Sequence, residues 1–542
     1  MFLQKNKFIV SVLIVTVIFA GLTVGNLPTP AAPTAIQSID GVVYNFADYP
    51  ALNHDQLGVF NYLDSIVTHQ PYGEWDGWYS TDQFHGLLHY VLAFVMYVAS
   101  GLFESTPGYR TEYYHNFSWS LLQKMNTSEA LWHNDSIEFK EWNHPDYKYN
   151  QYWYPNAENP NASIDVYTGG FRGPANIMWT GHYGLMEALH ERNFNTSEVV
   201  NELTWFIEDW NNTLTTDGKG HAQAGGIWKI GLIPCEPYIA FVNCNSIPMF
   251  ATLLYDDMYG TNFMPVWDFG LNFSNVVCQD EYSLFTNGYY VQETLGYQPP
   301  AQGPAQPFPG NAIDRYAGGL PSVSGYITAW SLTFLEPIQP QETEHDYPVF
   351  LDVYGRDVSG DKLCIVGNYR RPESFSVTDM LANLMTMPLT NQRGDYVTGQ
   401  RIRNFLYGSF DKVWSADGRR MWYDAMSLIP FLQAPLTTAW LWGTTPATVR
   451  DLASARPAAF WSYPYISSAD DDRIWVYQAV WDPAKSGFVL NVRVDQTASL
   501  TFSNFDHTPS AYVGGSVYQV LSPVVGGFEM TLSPGTYQIV VL

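Results

Sequence analysis

The segment Gln83–Gly101, QFHGLLHYVLAFVMYVASG, is apolar nearly all the way round a helix and stops at a glycine. A helix with no polar face must be covered on every side, by lipid or by other helices. Further helical stretches are expected at Ala175–Arg192, Ser197–Asn211, Ser246–Tyr259, Tyr326–Leu335 and Val377–Met387, with Gly/Pro-rich loops such as Gln298–Gly310 between them. Repeated helices parted by long loops from Asp40 to Arg456 suit a mainly α chain built as an α/α toroid, although periodicity alone does not separate that from other helical folds.

From Ala458 the texture changes. Arg473–Ala479, Gly487–Val494, Ala498–Phe502, Tyr518–Leu521 and Tyr537–Leu542 are short β-rich runs separated by turn residues. They predict a small antiparallel β-sandwich over residues 457–542, with no catalytic cluster of its own. At the other end, Lys5 and Lys7 precede an uncharged run from Phe8 to Gly25. That is the pattern of an export signal, and the run is at the short end for a membrane span. Residues 1–25 are therefore expected to be a signal peptide or an N-terminal membrane anchor, and 26–44 a Pro/Ala/Thr-rich linker. Both point to an extracellular or cell-surface protein. Seven Asn-X-Ser/Thr triplets, beginning at Asn116, Asn126, Asn134, Asn161, Asn195, Asn211 and Asn272, fit a glycosylated outer surface.

The formal net charge is −26, with no basic stripe, which argues against a nucleic-acid partner. No zinc-ligand spacing, phosphate-binding loop or dinucleotide fingerprint occurs, so neither a metal nor a cofactor is expected. A metal site assembled from dispersed histidines and carboxylates stays open. The four cysteines, Cys235, Cys244, Cys278 and Cys364, read first as disulfide formers in an oxidising compartment. A chain this long does not need them for stability, which leaves room for functional thiols.

The most informative stretch is Cys235-Glu-Pro-Tyr-Ile-Ala-Phe-Val-Asn-Cys244-Asn-Ser246. Two thiols with a carboxylate beside the first can surround one small pocket. A thiol can give a proton and its thiolate can take one, and a free thiol titrates at about 8.5, within reach of neutrality. On residue types alone, a local disulfide or two buried cysteines is the default reading of the same stretch.

This stretch resembles the cysteine motif of the linalool dehydratase-isomerase family, which opens on Cys-Glu-Pro and closes on Cys-Asn-Ser. Tyr255-Asp-Asp-Met-Tyr-Gly-Thr261, Asn61-Tyr-Leu-Asp64, His89-Tyr90, Asn176-Ile-Met178-Trp-Thr-Gly-His182 and Ser324-Gly-Tyr326-Ile-Thr-Ala-Trp330 are similar to further blocks of that family, in the same order. The likeness runs from about residue 45 to 435. It implies an (α/α)6 barrel over 45–456 that needs no cofactor and isomerises or dehydrates an allylic or tertiary alkenol of the linalool or geraniol kind. It implies acid/base roles for Cys235 and Cys244, with Asp64, Glu236 and His182 assisting. Tyr90, Met178, Phe241 and Tyr326 would line the pocket, and Tyr72 or His69 would fill the place of a further tyrosine. It also implies a homo-oligomer in which Asp64 and Tyr90 reach a neighbour's pocket. The family's early cysteine has no counterpart here, so its disulfide is not expected. Two other readings compete: an exported carbohydrate-active enzyme, which needs two carboxylates across a cleft, and a non-catalytic surface protein.

Overall fold

The computed structural model describes residues 36–71, 74–75, 77–78, 88–126, 177–216, 220–226, 228–235, 239–286, 289–290, 323–370, 377–425 and 432–542. Among them are twelve α-helices: α1 His54–Val67, α2 Leu88–Ser105, α3 Glu112–Met125, α4 Ile177–Phe194, α5 Val200–Thr215, α6 Val242–Tyr259, α7 Asp268–Val277, α8 Gly325–Leu335, α9 Pro340–Tyr354, α10 Val377–Gln392, α11 Tyr396–Leu406 and α12 Gln433–Trp442. The protein is mainly helical, with an antiparallel β region at its C-terminus.

The helices alternate in kind. The even-numbered ones pack in a closed ring, α2 on α4, α4 on α6, α6 on α8, α8 on α10, α10 on α12, and α12 back on α2. The odd-numbered ones lie outside, α1 against α12 and α3, α3 against α2 and α4, α5 on α4, α9 on α8 and α11 on α10. The sequence explains the sorting. In α8 every described side chain but Tyr326 is buried, and α12 is buried but for one position, so neither has a face to give to water. Helix α5 buries one stripe, Leu203, Phe206, Ile207, Trp210, Thr213 and Leu214, at the spacing of one helical face. Helix α2 is the one described helix long and apolar enough to cross a bilayer, and it is 83% buried within the protein. Neighbours in the ring approach closely. A Cβ on Gly181 of α4 would lie 2.9 Å from Cδ of Pro248 in α6.

Short two-stranded pairings interrupt the helices: the hairpin β1 Ile36–Ile39 with β2 Val42–Asn45, the long-range pair β3 Ile239–Ala240 with β4 Tyr289–Tyr290, and the hairpins β5 Gly355–Ser359 with β6 Lys362–Ile365 and β7 Asp411–Trp414 with β8 Met421–Asp424. Nine more strands follow: β9 Tyr465–Ala469, β10 Ile474–Asp482, β11 Gly487–Val494, β12 Ala498–Ser503, β13 Ser510–Val513, β14 Ser516–Val520, β15 Ser522–Val524, β16 Gly527–Leu532 and β17 Gly535–Val541. They form a five-stranded sheet, β10-β11-β17-β13-β14, and a four-stranded sheet, β15-β16-β12-β9. Phe488 of the first meets Phe502 of the second at 5.4 Å between ring centroids, so the two sheets face each other.

Two features depart from the sequence reading. Part of the expected linker 26–44 is instead the hairpin β1–β2. Ile39, Tyr44 and Phe46 bury themselves against Val489 and Val540 of the five-stranded sheet, which gives these apolar residues a partner the local sequence does not reveal. The expected signal or anchor, 1–25, lies outside the described residues. The sheets are also no loose appendage. The Gly108 N–H donates to the Ala479 carbonyl at 2.7 Å, and the Ile466 N–H donates to the Gly108 carbonyl at 2.8 Å. A Cβ on Gly108 would fall 2.5 Å from the Phe488 ring, so this docking requires glycine.

Candidate active site

Inner and outer helices alternate from α1 to α12, so the six ring helices run the same way and begin at the same end. Their aromatic side chains stack in layers down the ring axis. Tyr90 of α2 and Tyr326 of α8 lie nearest that end, both half-buried. One turn deeper come Phe94, His182 of α4 and Trp330. Tyr90 packs on His182 at 5.3 Å and on Trp330 at 5.6 Å, and Tyr326 on Trp330 at 5.5 Å. Phe94 meets Trp330 at 5.2 Å, and His182 meets Trp330 at 5.3 Å. Deeper still, Tyr97, Phe334 and Trp442 close the shaft.

His182 is the polar group at the centre of this apolar lining. It is wholly buried, and burial pushes its imidazolium down to about 3, so the ring is neutral near pH 7. Its Nδ1 lies 2.6 Å from the Tyr97 hydroxyl. Burial holds the Tyr97 phenol well above its ordinary value, so that oxygen keeps its proton. The tautomer that strands the fewest polar groups has Tyr97 donating to Nδ1 and the ring proton on Nε2. Among the described residues Nε2 finds no hydrogen-bond partner, and neither does Nε1 of Trp330 beside it. Two buried N–H donors without acceptors cost about 1–3 kcal/mol each. Native folds keep such groups mainly where something else is meant to meet them.

The cysteines come to the same end by a backbone brace. The Asn245 side chain, in the first turn of α6, accepts from the Ile233 N–H at 2.8 Å and donates to the carbonyls of Ile233 and Phe241 at 2.9 and 2.8 Å. The chain around Cys235 is thereby tied to the helix start that carries Cys244. The first N–H of α4, on Ile177, donates to the Pro234 carbonyl at 3.1 Å. Cys235, Cys244 and the turn bearing Met178 and His182 therefore belong to one neighbourhood. Both thiols are nearly fully buried, whereas Met178 and Phe241 remain partly exposed. Cys278 and Cys364 are buried free thiols, and burial raises both above the usual thiol value.

Glu236 and Tyr72 lie outside the described residues. Asp64 sits apart from the shaft, at the end of α1. Its Oδ2 is 3.1 Å from His69 Nε2, and burial raises its carboxyl although the nearby polar groups of Thr68, His69 and Tyr113 act to lower it. It is buried against its own chain, so reaching a neighbour's pocket would require exposing it. Tyr90 reaches His182 within one chain, so this contact needs no second subunit. Sequence reasoning missed Phe94, Tyr97 and Trp330 as parts of the lining. The signal was present, since Phe94 and Tyr97 follow Tyr90 by one and two turns of a buried helix and Trp330 follows Tyr326 by one.

No protein-family model matches the sequence. Among solved structures, the crystal structure of Ara127N-Se, a GH127 beta-L-arabinofuranosidase from Geobacillus stearothermophilus T6, is similar over 88% of this chain and 74% of its own, at 11% identity and a TM-score of 0.34. A likeness that distant leaves the function to be argued from this chain's own residues.

Proposed function

We propose that the ring is an (α/α)6 barrel whose helix-start end is the active site of a cofactor-free hydro-lyase or isomerase acting on a small hydrophobic alkenol. The observation that carries the reading is His182: a neutral, buried imidazole with an unmet Nε2–H, walled by the rings of Tyr90, Phe94 and Trp330. A substrate hydroxyl is the kind of acceptor that donor lacks. Ionisation of an allylic alcohol breaks its C–O bond as an acid protonates the departing oxygen, and water leaves. The cation then loses a proton to a base, giving a diene, or takes water at the far allylic carbon, giving the isomer. Ring faces stabilise such a cation, and a neutral histidine does not repel it. Cys235 and Cys244 are the acid/base pair in this scheme, and His182 holds the oxygen.

The test is gas chromatography of linalool, geraniol and shorter tertiary alkenols incubated with reduced, folded protein. Conversion that disappears in Cys235→Ala and Cys244→Ala supports the reading. No conversion across the panel sinks it, and glycoside turnover indifferent to both substitutions would install a carbohydrate-active enzyme in its place.

A further inference from the structure

On the outer side of the ring, three side chains distant in sequence converge. His115 comes from α3, His190 from the last turns of α4, and Glu198 from the turn between α4 and α5. Nε2 of His115 lies 2.9 Å from Glu198 Oε2, and Nε2 of His190 lies 3.0 Å from the same oxygen. The three donor atoms all fall within 4.8 Å of one another. A tetrahedral zinc with nitrogen ligands at about 2.0–2.1 Å has ligand-to-ligand edges of roughly 3.3 Å, so this triangle is close to one face of such a site.

A further observation is the orientation of His190. Its ring is wholly buried, and its Nδ1 lies 2.8 Å from Ser118 Oγ. Ser118 Oγ also lies 3.3 Å from Met96 Sδ, an acceptor for its own proton. With that proton on Met96, Nδ1–H of His190 donates to Oγ and Nε2 offers its lone pair toward Glu198, the tautomer that metal ligation uses. A histidine whose far nitrogen is fixed by a hydrogen bond is also how metal-binding imidazoles are held. Glu198 is set by a tight turn in which Asn195 and Ser197 both adopt left-handed backbone, with φ of 51° and 63°. Its side chain is 38% exposed and that of His115 is 25% exposed, which leaves an entry path and open positions for water.

We propose that His115, His190 and Glu198 form a binding site for a first-row divalent transition metal, with zinc as the probe. Two imidazoles and a carboxylate, with no thiolate, suit zinc and its neighbours rather than calcium or magnesium. The ion would join α3 to the α4–α5 turn.

The full chain, stripped with chelator and dialysed, is titrated with zinc by calorimetry, and metal content is counted by mass spectrometry. Expected are one tight zinc per chain and a rise in Tm on binding. His115→Asn and Glu198→Gln change exposed or half-exposed groups, so folding should survive, as circular dichroism would check. Each should weaken zinc by more than the ~10–100-fold that loss of a supporting hydrogen bond costs, and should abolish the Tm rise. Cobalt in the same site should give d–d bands with no thiolate charge-transfer band. Folded protein without stoichiometric zinc, unchanged affinity in both variants, or a thiolate band that vanishes in Cys235→Ala would each overturn the proposal.

Discussion

His182 and His190 are the same residue type on the same helix, two turns apart, both wholly buried, yet they face different chemistries. His182 points to the ring axis, where its Nδ1 meets the Tyr97 phenol and its Nε2, among the described residues, meets aromatic surroundings. His190 points outward, where its Nδ1 meets Ser118 and its Nε2 meets a carboxylate and another imidazole. Burial drives both imidazolium pKa values down, to about 3 and about 4. What differs is the partner across the ring: a phenol that donates leaves Nε2–H as a donor, while a serine with Met96 as a second acceptor is able to accept from Nδ1–H and leave Nε2 as a ligand. The oxygen bonded to Nδ1, rather than the depth of burial, decides what a buried histidine can do.

The largest effects should separate the two sites cleanly. His182→Asn removes the donor at the proposed oxygen site and is expected to lower alkenol turnover by ~10²–10⁴, the range for loss of a positioned acid–base or hydrogen-bonding group. Glu198→Gln should leave that turnover unchanged in the same gas-chromatographic assay. If both variants lost activity equally, the axis and the outer surface would not be independent. A smaller effect tests the supporting oxygens. Tyr97→Phe strands Nδ1 of His182 and should cost about 1–3 kcal/mol of stability by urea titration. Ser118→Ala frees the His190 ring and should appear chiefly as a ~10–100-fold weaker zinc affinity.

The sequence revealed the shaft better than the outer cluster for a physical reason. Composition and helical spacing mark buried helices, so the boundaries expected for α4, α6 and α8 fall within a few residues of those observed, whereas Tyr90, His182 and Tyr326 are grouped as one set by the family resemblance alone. All five expected C-terminal strands are present, whereas β9, β13, β15 and β16 were missed because short strands carry little pattern. The brace made by Asn245 was also hidden, since a side chain that bonds backbone across twelve residues leaves no periodic mark. His115 meets Glu198 across 83 positions, and only the packing of α3 on α4 brings them together. Asp64 is a different case: its expected role is to reach a neighbour's pocket, and within its own chain the carboxyl meets His69 at the end of α1.

The smallest expected effect concerns acid. His182 is pushed from 6.5 to about 3 by burial, so between those values the unfolded chain binds a proton that the folded chain refuses. Stability from this residue is complete above pH 6.5 and drains as pH falls toward 3, by up to about 1.4 kcal/mol per pH unit for the one proton concerned. Among the described residues, the rings facing the imidazole are the phenols of Tyr90 and Tyr97 and the uncharged rings of Phe94 and Trp330, none of which gains charge in that range. Raised carboxyls elsewhere, such as Asp64 and Asp471, act in the opposite sense, because the folded state holds their protons longer. The whole-protein slope therefore mixes both, and only a difference isolates the histidine. Urea midpoints measured from pH 7 to pH 4 should fall less steeply for His182→Asn than for the parent. Parallel slopes would mean that His182 takes up its proton in the folded state, and the neutral donor on the axis would have to be abandoned.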